Sequence, residues 1–334
     1  MPRKKVTSID VAKLAGVSQP TVSRALDPGS PVSPETRARV LAIASELGYT
    51  PNVIARSLKS QSTNIIGIVM SNLASSFFSN NVLEQFAHQL QALGKQLLLF
   101  SAPPDRPVDE ILPQVLGYQV DALIITSSTP GQAIIDECAR IGTPVILFNR
   151  FAPGTQANVV GCDNEEGGRQ VANVLLDAGH QRIAYMAGTS GTASNLMREK
   201  GFMDQLKTRG YVECMRENGF YSYEAGRTAA RSLLDRDDPP DAIFCAADVM
   251  ALGALDVARY ELGIQVPEDL SIIGFDDIPL ASWPAYNLTT IHQPINRMIS
   301  AALELVTYNE DDFPIRQITL LPGELVIRGS ARIA

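Results

Sequence analysis

Apolar positions Ile9, Ala12, Leu14 and Ala15 fall at helical spacing near the start of the chain and predict a short helix. Gly16-Val17-Ser18 breaks the pattern, and Gln19 to Leu26 restarts it with Val22, Ala25 and Leu26 inward. Two short helices joined by a Gly-containing turn predict a helix-turn-helix. The restrictive positions agree. Gly16 accepts positive φ without steric cost. Ala12 is small where the helices cross, with Val22 as the apolar plug facing it. Ser18 can N-cap the second helix, with Pro20 in its first turn, where a missing N–H is harmless. A third helix starts at Ser33-Pro34, carries the stripe Val40, Leu41, Ala44 and Leu47, and stops at Gly48. Residues 1–50 therefore close as a small all-α unit.

Asn52 to Lys59 has helical propensity but is too short to be stable alone, so residues 51–63 are expected to be a hinge helix and linker ordered by a partner. From Asn64 short β-rich runs alternate with helices. The runs are Ile65–Met70, Leu97–Phe100, Ala122–Thr126 and Val145–Phe148, separated by helices near 82–93, 108–117 and 131–141. A second set follows: strands Arg182–Ala187, Ala242–Ala246 and Leu270–Phe275, with helices over 195–209, 223–235 and 249–262. A helix over 295–308 and strands Gln317–Leu321 and Glu324–Arg328 close the chain. Such alternation predicts parallel α/β sheets. Two sheets of similar size imply a bilobed core over 64–334. Its N-lobe is placed at about 64–162 plus 293–322, and its C-lobe at about 163–292 plus 323–334.

Charge changes the picture more than composition does. The 334 residues are 45% apolar and 19% charged, which is globular. The net charge is -8, yet residues 1–60 hold nine Lys/Arg against four acids, leaving -13 on the rest. A basic head on an acidic body points to a polyanion met by the head alone. Met-Pro-Arg-Lys-Lys lacks the apolar region of a secretory signal, and no run is long enough for a membrane span. Cys138, Cys162, Cys214 and Cys245 have no paired spacing, so a reducing cytoplasm is expected.

Four segments together resemble the LacI/GalR family of bacterial transcriptional regulators, in that family's order and over essentially the whole chain. They are TSIDVAKLAGVSQPTVSRAL, VSPETRARVLAIASELGYTPNVIARSLK, ALGALDVARYELGIQVPEDLSIIGFDDIPLA and LTTIHQPI. The resemblance implies a helix-turn-helix head joined by a hinge helix to a core like periplasmic sugar-binding proteins. It also implies a homodimer, or a dimer of dimers, on double-stranded pseudo-palindromic operator DNA. The chain runs to Ala334 without a leucine-heptad tail, which favours the dimer. Such a repressor works in the bacterial cytoplasm, at the nucleoid when bound to DNA, under control of a small-molecule effector.

The second helix is expected in the major groove. By family match Gln19, Pro20 and Arg24 set base preference, Gln being suited to adenine and Arg to guanine. Thr7, Ser8, Ser18, Thr21 and Ser23 match phosphate-holding positions. Asn52, Ala55 and Arg56 match the hinge pattern, and Leu58 matches the residue that wedges into the minor groove at the operator centre.

For the cleft, Asp276 ends an apolar strand, where α/β sheets place ligands. Arg198 offers a planar fork for hydroxyls or a carboxylate. Phe77, Phe78 and Trp283 are candidate stacking surfaces, and Asn149 and Arg150 end another strand. Asp248 is retained as a weaker ligand candidate, while Asp277 is read as a cap and His292 as structural. Asn149 stands where many relatives have Asp, and Ala247 where the family can carry a ligand-binding Asn. One acid fewer beside Arg150 and Arg198 favours a sugar acid or phosphorylated ligand over a neutral sugar.

Two other classes fit less well. A periplasmic sugar-binding module without a DNA role would carry a signal peptide and no basic head. A Rossmann-type enzyme would show a glycine fingerprint, a nucleophile elbow or a P-loop, and none is present. His88, His180 and His292 lack metal-ligand spacing, and no cofactor or metal is expected.

Overall fold

The structure is a computed structural model that describes residues 6–27, 29–50, 62–71, 77–102, 107–126, 130–151, 154–307 and 316–334. The chain forms two compact units, residues 1–63 and 64–334. The hinge candidates Asn52, Ala55, Arg56 and Leu58 lie outside the described residues.

The first unit holds α1 (Ser8–Ala15), α2 (Gln19–Ala25) and α3 (Pro34–Glu46). Gly16 turns the chain between α1 and α2 at φ 64°, the left-handed region that a Cβ disfavours. Ser18 caps α2 by accepting from the Thr21 N–H, and Ser33 caps α3 by accepting from the Thr36 N–H. Val11, Ala12, Ala15, Val22, Ala25, Val40 and Ala44 form the core. The inward face of α1 is therefore Val11, Ala12 and Ala15, and Ile9 and Leu14 are exposed, contrary to the spacing read from sequence. Leu41 is exposed as well. The three helices are too short to enclose every apolar residue, and Val11, Val22 and Val40 are the ones fully enclosed.

One contact was not anticipated. Arg37 of α3 donates to the carbonyls of Ala25 (2.8 Å), Asp27 (2.7 Å) and Ser30 (2.6 Å). It thereby satisfies carbonyls at the C-terminal end of α2 and fixes the turn that follows.

The second unit contains two six-stranded sheets. The first is formed by β1 (Ile65–Met70), β2 (Gln96–Ser101), β3 (Ala122–Ile125), β4 (Val145–Phe148), β5 (Asn158–Asp163) and β11 (Ile318–Pro322), in the order β11-β5-β4-β3-β1-β2. All its pairings are parallel. The second is formed by β6 (Ile183–Ala187), β7 (Met215–Asn218), β8 (Ala242–Cys245), β9 (Ser271–Asp276), β10 (Thr289–His292) and β12 (Glu324–Val326), in the order β12-β10-β9-β8-β6-β7. It is parallel except that β12 runs antiparallel to β10, a departure from two purely parallel sheets. Helices α4 (Phe77–Ala92), α5 (Leu112–Leu116), α6 (Gln132–Arg140) and α11 (Ile295–Thr307) go with the first sheet. Helices α7 (Asn164–Asp177), α8 (Ala193–Thr208), α9 (Tyr223–Leu234) and α10 (Asp248–Asp256) go with the second.

The chain passes between the sheets three times, at the ends of β5, β10 and β11. Asp163 pairs with Pro322, and His292 pairs with Glu324, so these crossings lie side by side. β7 and β10 have no counterpart in the sequence pattern, and neither do β5 and α7. Gly161 interrupts β5 and Gly167-Gly168 interrupts α7, and both glycines of α7 are buried against neighbouring elements.

Candidate functional site

The outward face of α2 carries Gln19, Pro20, Ser23 and Arg24, all exposed, while Val22 and Ala25 hold the opposite face in the core. The polar residues around it are already arranged. Gln19 Nε2 donates to Ser8 Oγ at 3.2 Å, Ser18 and Thr21 share a hydroxyl contact at 2.8 Å, and Arg24 reaches Thr21 Oγ1 at 3.5 Å. Thr7 gives both its N–H (2.9 Å) and its hydroxyl (2.7 Å) to Asp10, so its first role is to cap α1. Gln19 and Arg24 thus stand exposed on α2, with their side-chain donors held by Ser8 and Thr21.

The cleft residues of the second unit meet at the three crossings. Asn149 Oδ1 accepts from the Cys162 N–H at 3.4 Å, and its Nδ2 donates to Gln293 Oε1 at 3.2 Å. Gln293 Nε2 donates to Asp276 Oδ1 at 2.6 Å, and Arg198 faces the same carboxylate oxygen at 3.4 Å. Arg198 Nε donates to Asn164 Oδ1 at 2.7 Å, and Asn164 Nδ2 returns to the Cys162 carbonyl at 3.0 Å. Cys162, Asn149, Gln293, Asp276, Arg198 and Asn164 therefore close a ring of polar contacts that spans both sheets. Arg198 also donates to the Ala246 carbonyl and stacks 3.6 Å over the centroid of Phe275.

A polar ring in a dry interior is tolerable because each member has a partner. Burial pushes the Asp276 carboxyl above its ordinary value, and Arg198 and Gln293 oppose that rise. Asn149, Tyr221 and Asp276 all have positive φ, at 54°, 55° and 129°. Non-glycine residues held there store strain of the kind that gathers at ligand sites.

Beside the ring lies a small cavity of about 10 Å³ lined by the first sheet and by the starts of α7 and α8, with Asn149, Arg150, Asn164 and Ser194 among its walls. That is about the space of one water, so a sugar-sized ligand needs the lobes to part. Tyr221, on the loop after β7, reaches Ser194 at the start of α8 with a hydroxyl contact of 3.2 Å. Its ring lies over Gly188, where a Cβ would collide with it.

Two candidates sit apart from the ring. Asp248 is completely buried, with Oδ2 accepting from the Ile278 N–H at 2.9 Å and Oδ1 from the Thr290 hydroxyl at 2.5 Å. It ties α10 to the segments after β9 and within β10, and burial raises its carboxyl pKa. Trp283 is 54% exposed beyond the short turn Pro279–Ser282 and is not among the cavity-lining residues. Phe78 packs against the main apolar core, and the side chain of Phe77 lies outside the described residues. Asp277 binds His292 Nδ1 (2.9 Å) and Arg328 (2.7 Å), a local structural pairing. Sequence reading missed Asn164, Ser194, Tyr221 and Gln293. Ser194 sits one turn before Arg198 and Gln293 follows His292, so both were within reach of motifs already singled out.

Residues 8–52 match the family described as "Bacterial regulatory proteins, lacI family", and residues 172–331 match "Periplasmic binding protein-like domain". The HTH-type transcriptional regulator DegA of Bacillus subtilis (strain 168) is 34% identical over 98% of each chain. That full-length likeness decides the matter.

The chain belongs to the LacI family.

The fold is likewise similar to the lac repressor dimer bound to operator and the anti-inducer ONPF, with a TM-score of 0.88 at 30% identity. That comparison covers 99% of this chain and all (100%) of the other. A complex of the regulator CelR with cellobiose matches with a TM-score of 0.70 at 30% identity, over 98% of this chain and 100% of that one. This LacI-family member is a DNA-binding transcriptional regulator and not an enzyme. Among the described residues no helix is long and apolar enough to cross a membrane.

Proposed function

We propose that two copies of this regulator bind one pseudo-palindromic operator in the cytoplasm, and that a small sugar, sugar acid or related metabolite in the cleft sets how tightly they hold it. The ring from Asn149 through Gln293, Asp276 and Arg198 to Asn164 carries this reading, because it joins both lobes at the chain crossings. A ligand that donates to Asp276 or accepts from Arg198 must bind the parted and closed lobes unequally, and so shifts their populations. The hinge segments, with Asn52, Ala55, Arg56 and Leu58, then transmit the shift to the heads.

Selection from a random DNA pool with the full chain tests the operator side. The expected product is an inverted repeat, and Arg24→Ala costs about 1–3 kcal/mol while relaxing preference at one base pair per half-site. No enriched symmetric sequence, or a uniform loss across sites, contradicts the assignment.

The homodimer rests on a patch of the C-lobe. Tyr260 (73% exposed), Leu262 (45%) and Trp283 (54%) are large apolar residues left at the surface. Arg259 donates to the carbonyls of Ala285 (2.7 Å) and Tyr286 (3.4 Å), which ties the segment of Tyr260 to that of Trp283. An apolar patch of this kind suits the self-complementary face of a two-fold dimer. Trp283→Glu is expected to move the protein to monomer in sedimentation velocity with its circular dichroism unchanged. A dimer that persists at the wild-type concentration dependence refutes this face.

A further inference from the structure

Taking α2 as the operator-facing helix, we infer that Ser8 is a positioning residue for base readout. By accepting one amide hydrogen of Gln19, it makes that side chain a reader of adenine and not of guanine. The two residues meet across the helix-turn-helix, where Gln19 Nε2 donates to Ser8 Oγ at 3.2 Å over a separation of 11 residues.

Both ends of this contact are anchored. Ser8 is the first residue of α1, directly after Thr7, whose N–H and hydroxyl are both held by Asp10. Gln19 is the first residue of α2, directly after Ser18, whose hydroxyl oxygen accepts from the Thr21 N–H. Val11, Ala12, Ala15, Val22 and Ala25 pack the two helices into one core. Two capped helix starts on a shared core leave the pair little room to separate. Local competition for the carboxamide is low as well. Pro20 follows Gln19 and has no N–H, and the Thr21 N–H is already given to Ser18. Ser8 is half-buried and Gln19 exposed, so the carboxamide is tethered toward the protein and open on its other side.

A carboxamide offers two N–H donors and one carbonyl acceptor. The major-groove edge of adenine presents the N7 acceptor beside the N6 amino donor, which together take one N–H and the carbonyl. Guanine presents two acceptors there, N7 and O6. A free glutamine can turn both N–H groups toward guanine, so alone it separates the two purines weakly. With one hydrogen given to Ser8, Gln19 keeps one N–H and the carbonyl. That pair matches adenine. On guanine it leaves the carbonyl oxygen facing O6, two acceptors with no proton between them. The tether also restricts a long side chain before DNA arrives, so less freedom is lost on binding. A hydroxyl that holds a phosphate acts alike on every sequence, whereas one that orients Gln19 acts at a single base pair.

The test uses the duplex that the full wild-type chain selects from a random pool, with each base pair of its half-sites replaced in turn. Binding is read by fluorescence anisotropy at fixed salt. Gln19→Ala marks the base pair that Gln19 reads, as the position whose preference collapses. Wild type is expected to prefer adenine over guanine there by about 5- to 150-fold. Ser8→Ala should cut that ratio by roughly two- to tenfold, the worth of one hydrogen bond, with the preference at the Arg24 base pair as in wild type. Ser8→Thr keeps the hydroxyl and should keep the ratio within about twofold of wild type. Each ratio compares two duplexes on one protein, so a partly folded variant still reports it.

No position that responds to Gln19→Ala, a base other than adenine at that position, or a ratio unchanged in Ser8→Ala overturns the inference. So does a loss in Ser8→Thr as large as that in Ser8→Ala. An equal loss on every duplex overturns it too and assigns Ser8 to a phosphate. The operator reading fails separately, when no symmetric sequence is selected. A selected symmetric sequence with the Arg24 preference intact and the Gln19 position indifferent to Ser8 removes the role of Ser8 alone.

Discussion

Gly201→Ala is expected to destabilise the core by about 3 kcal/mol, the upper part of the usual range for overpacking. A Cβ at Gly201 would stand 2.0 Å from the Glu165 carbonyl oxygen, and one at Gly168 would stand 2.3 Å from the Arg198 carbonyl oxygen. The backbones of α7 and α8 therefore touch, and a methyl group has no flexible side chain to push aside. At roughly 2–4 °C per kcal/mol for a unit of this size, Tm should fall by roughly 6–12 °C. Function should suffer beyond stability, because α8 carries Ser194 and Arg198 while α7 begins at Asn164. Separating the helices pulls Arg198 from Asn164 and Asp276. Calorimetric unfolding together with ligand binding checks both parts. A Tm within a degree or so of wild type would mean the helices part freely.

The second large effect belongs to Arg198→Leu. It leaves the Asp276 carboxylate, Asn164 Oδ1 and the Ala246 carbonyl without a donor they now share. Breaking a buried pair from one side costs about 3–5 kcal/mol. The loss has a predictable pH dependence. Burial already raises Asp276, and Arg198 holds it down. Removing Arg198 raises the folded-state pKa further above that of the unfolded chain. A carboxyl raised on folding gives stability that is present at low pH and lost as pH rises through the folded value. The deficit of Arg198→Leu against wild type should therefore be smaller at about pH 5 than at about pH 8, read from urea unfolding at both. A deficit equal at the two pH values would mean that Asp276 is not the partner at stake.

The head was legible in sequence because its constraints are local. Gly16, Ser18, Pro20 and Ser33 do their work within a turn or a cap, and three helices follow from them. Ile9 and Leu14 were misplaced because helical spacing alone allows more than one inward face, and packing chose Val11. In the core, β5 and α7 were hidden by glycines that look like breaks and serve close packing instead. The polar ring was only half visible. Arg198, Asp276 and Asn149 stood out as chemistry at strand ends or in a motif. Asn164 and Gln293 have the same importance, but their partners lie 34 and 144 residues away in sequence. Asp248 shows the converse, a carboxylate whose position beside the cleft motif suggests ligand and whose burial makes it a brace.

Linkage between the two ends of the molecule tests the central claim most directly. A sugar or sugar acid that raises the Tm of the full chain is titrated into it with and without the selected operator. The same operator is then titrated with and without that ligand. The account predicts that operator changes the Kd of the ligand by the same factor by which the ligand changes the Kd of the operator, roughly 5–150-fold. It also predicts that Arg198→Leu brings the factor to about one. A wild-type factor of one in both titrations, with ligand and operator each bound, would contradict it.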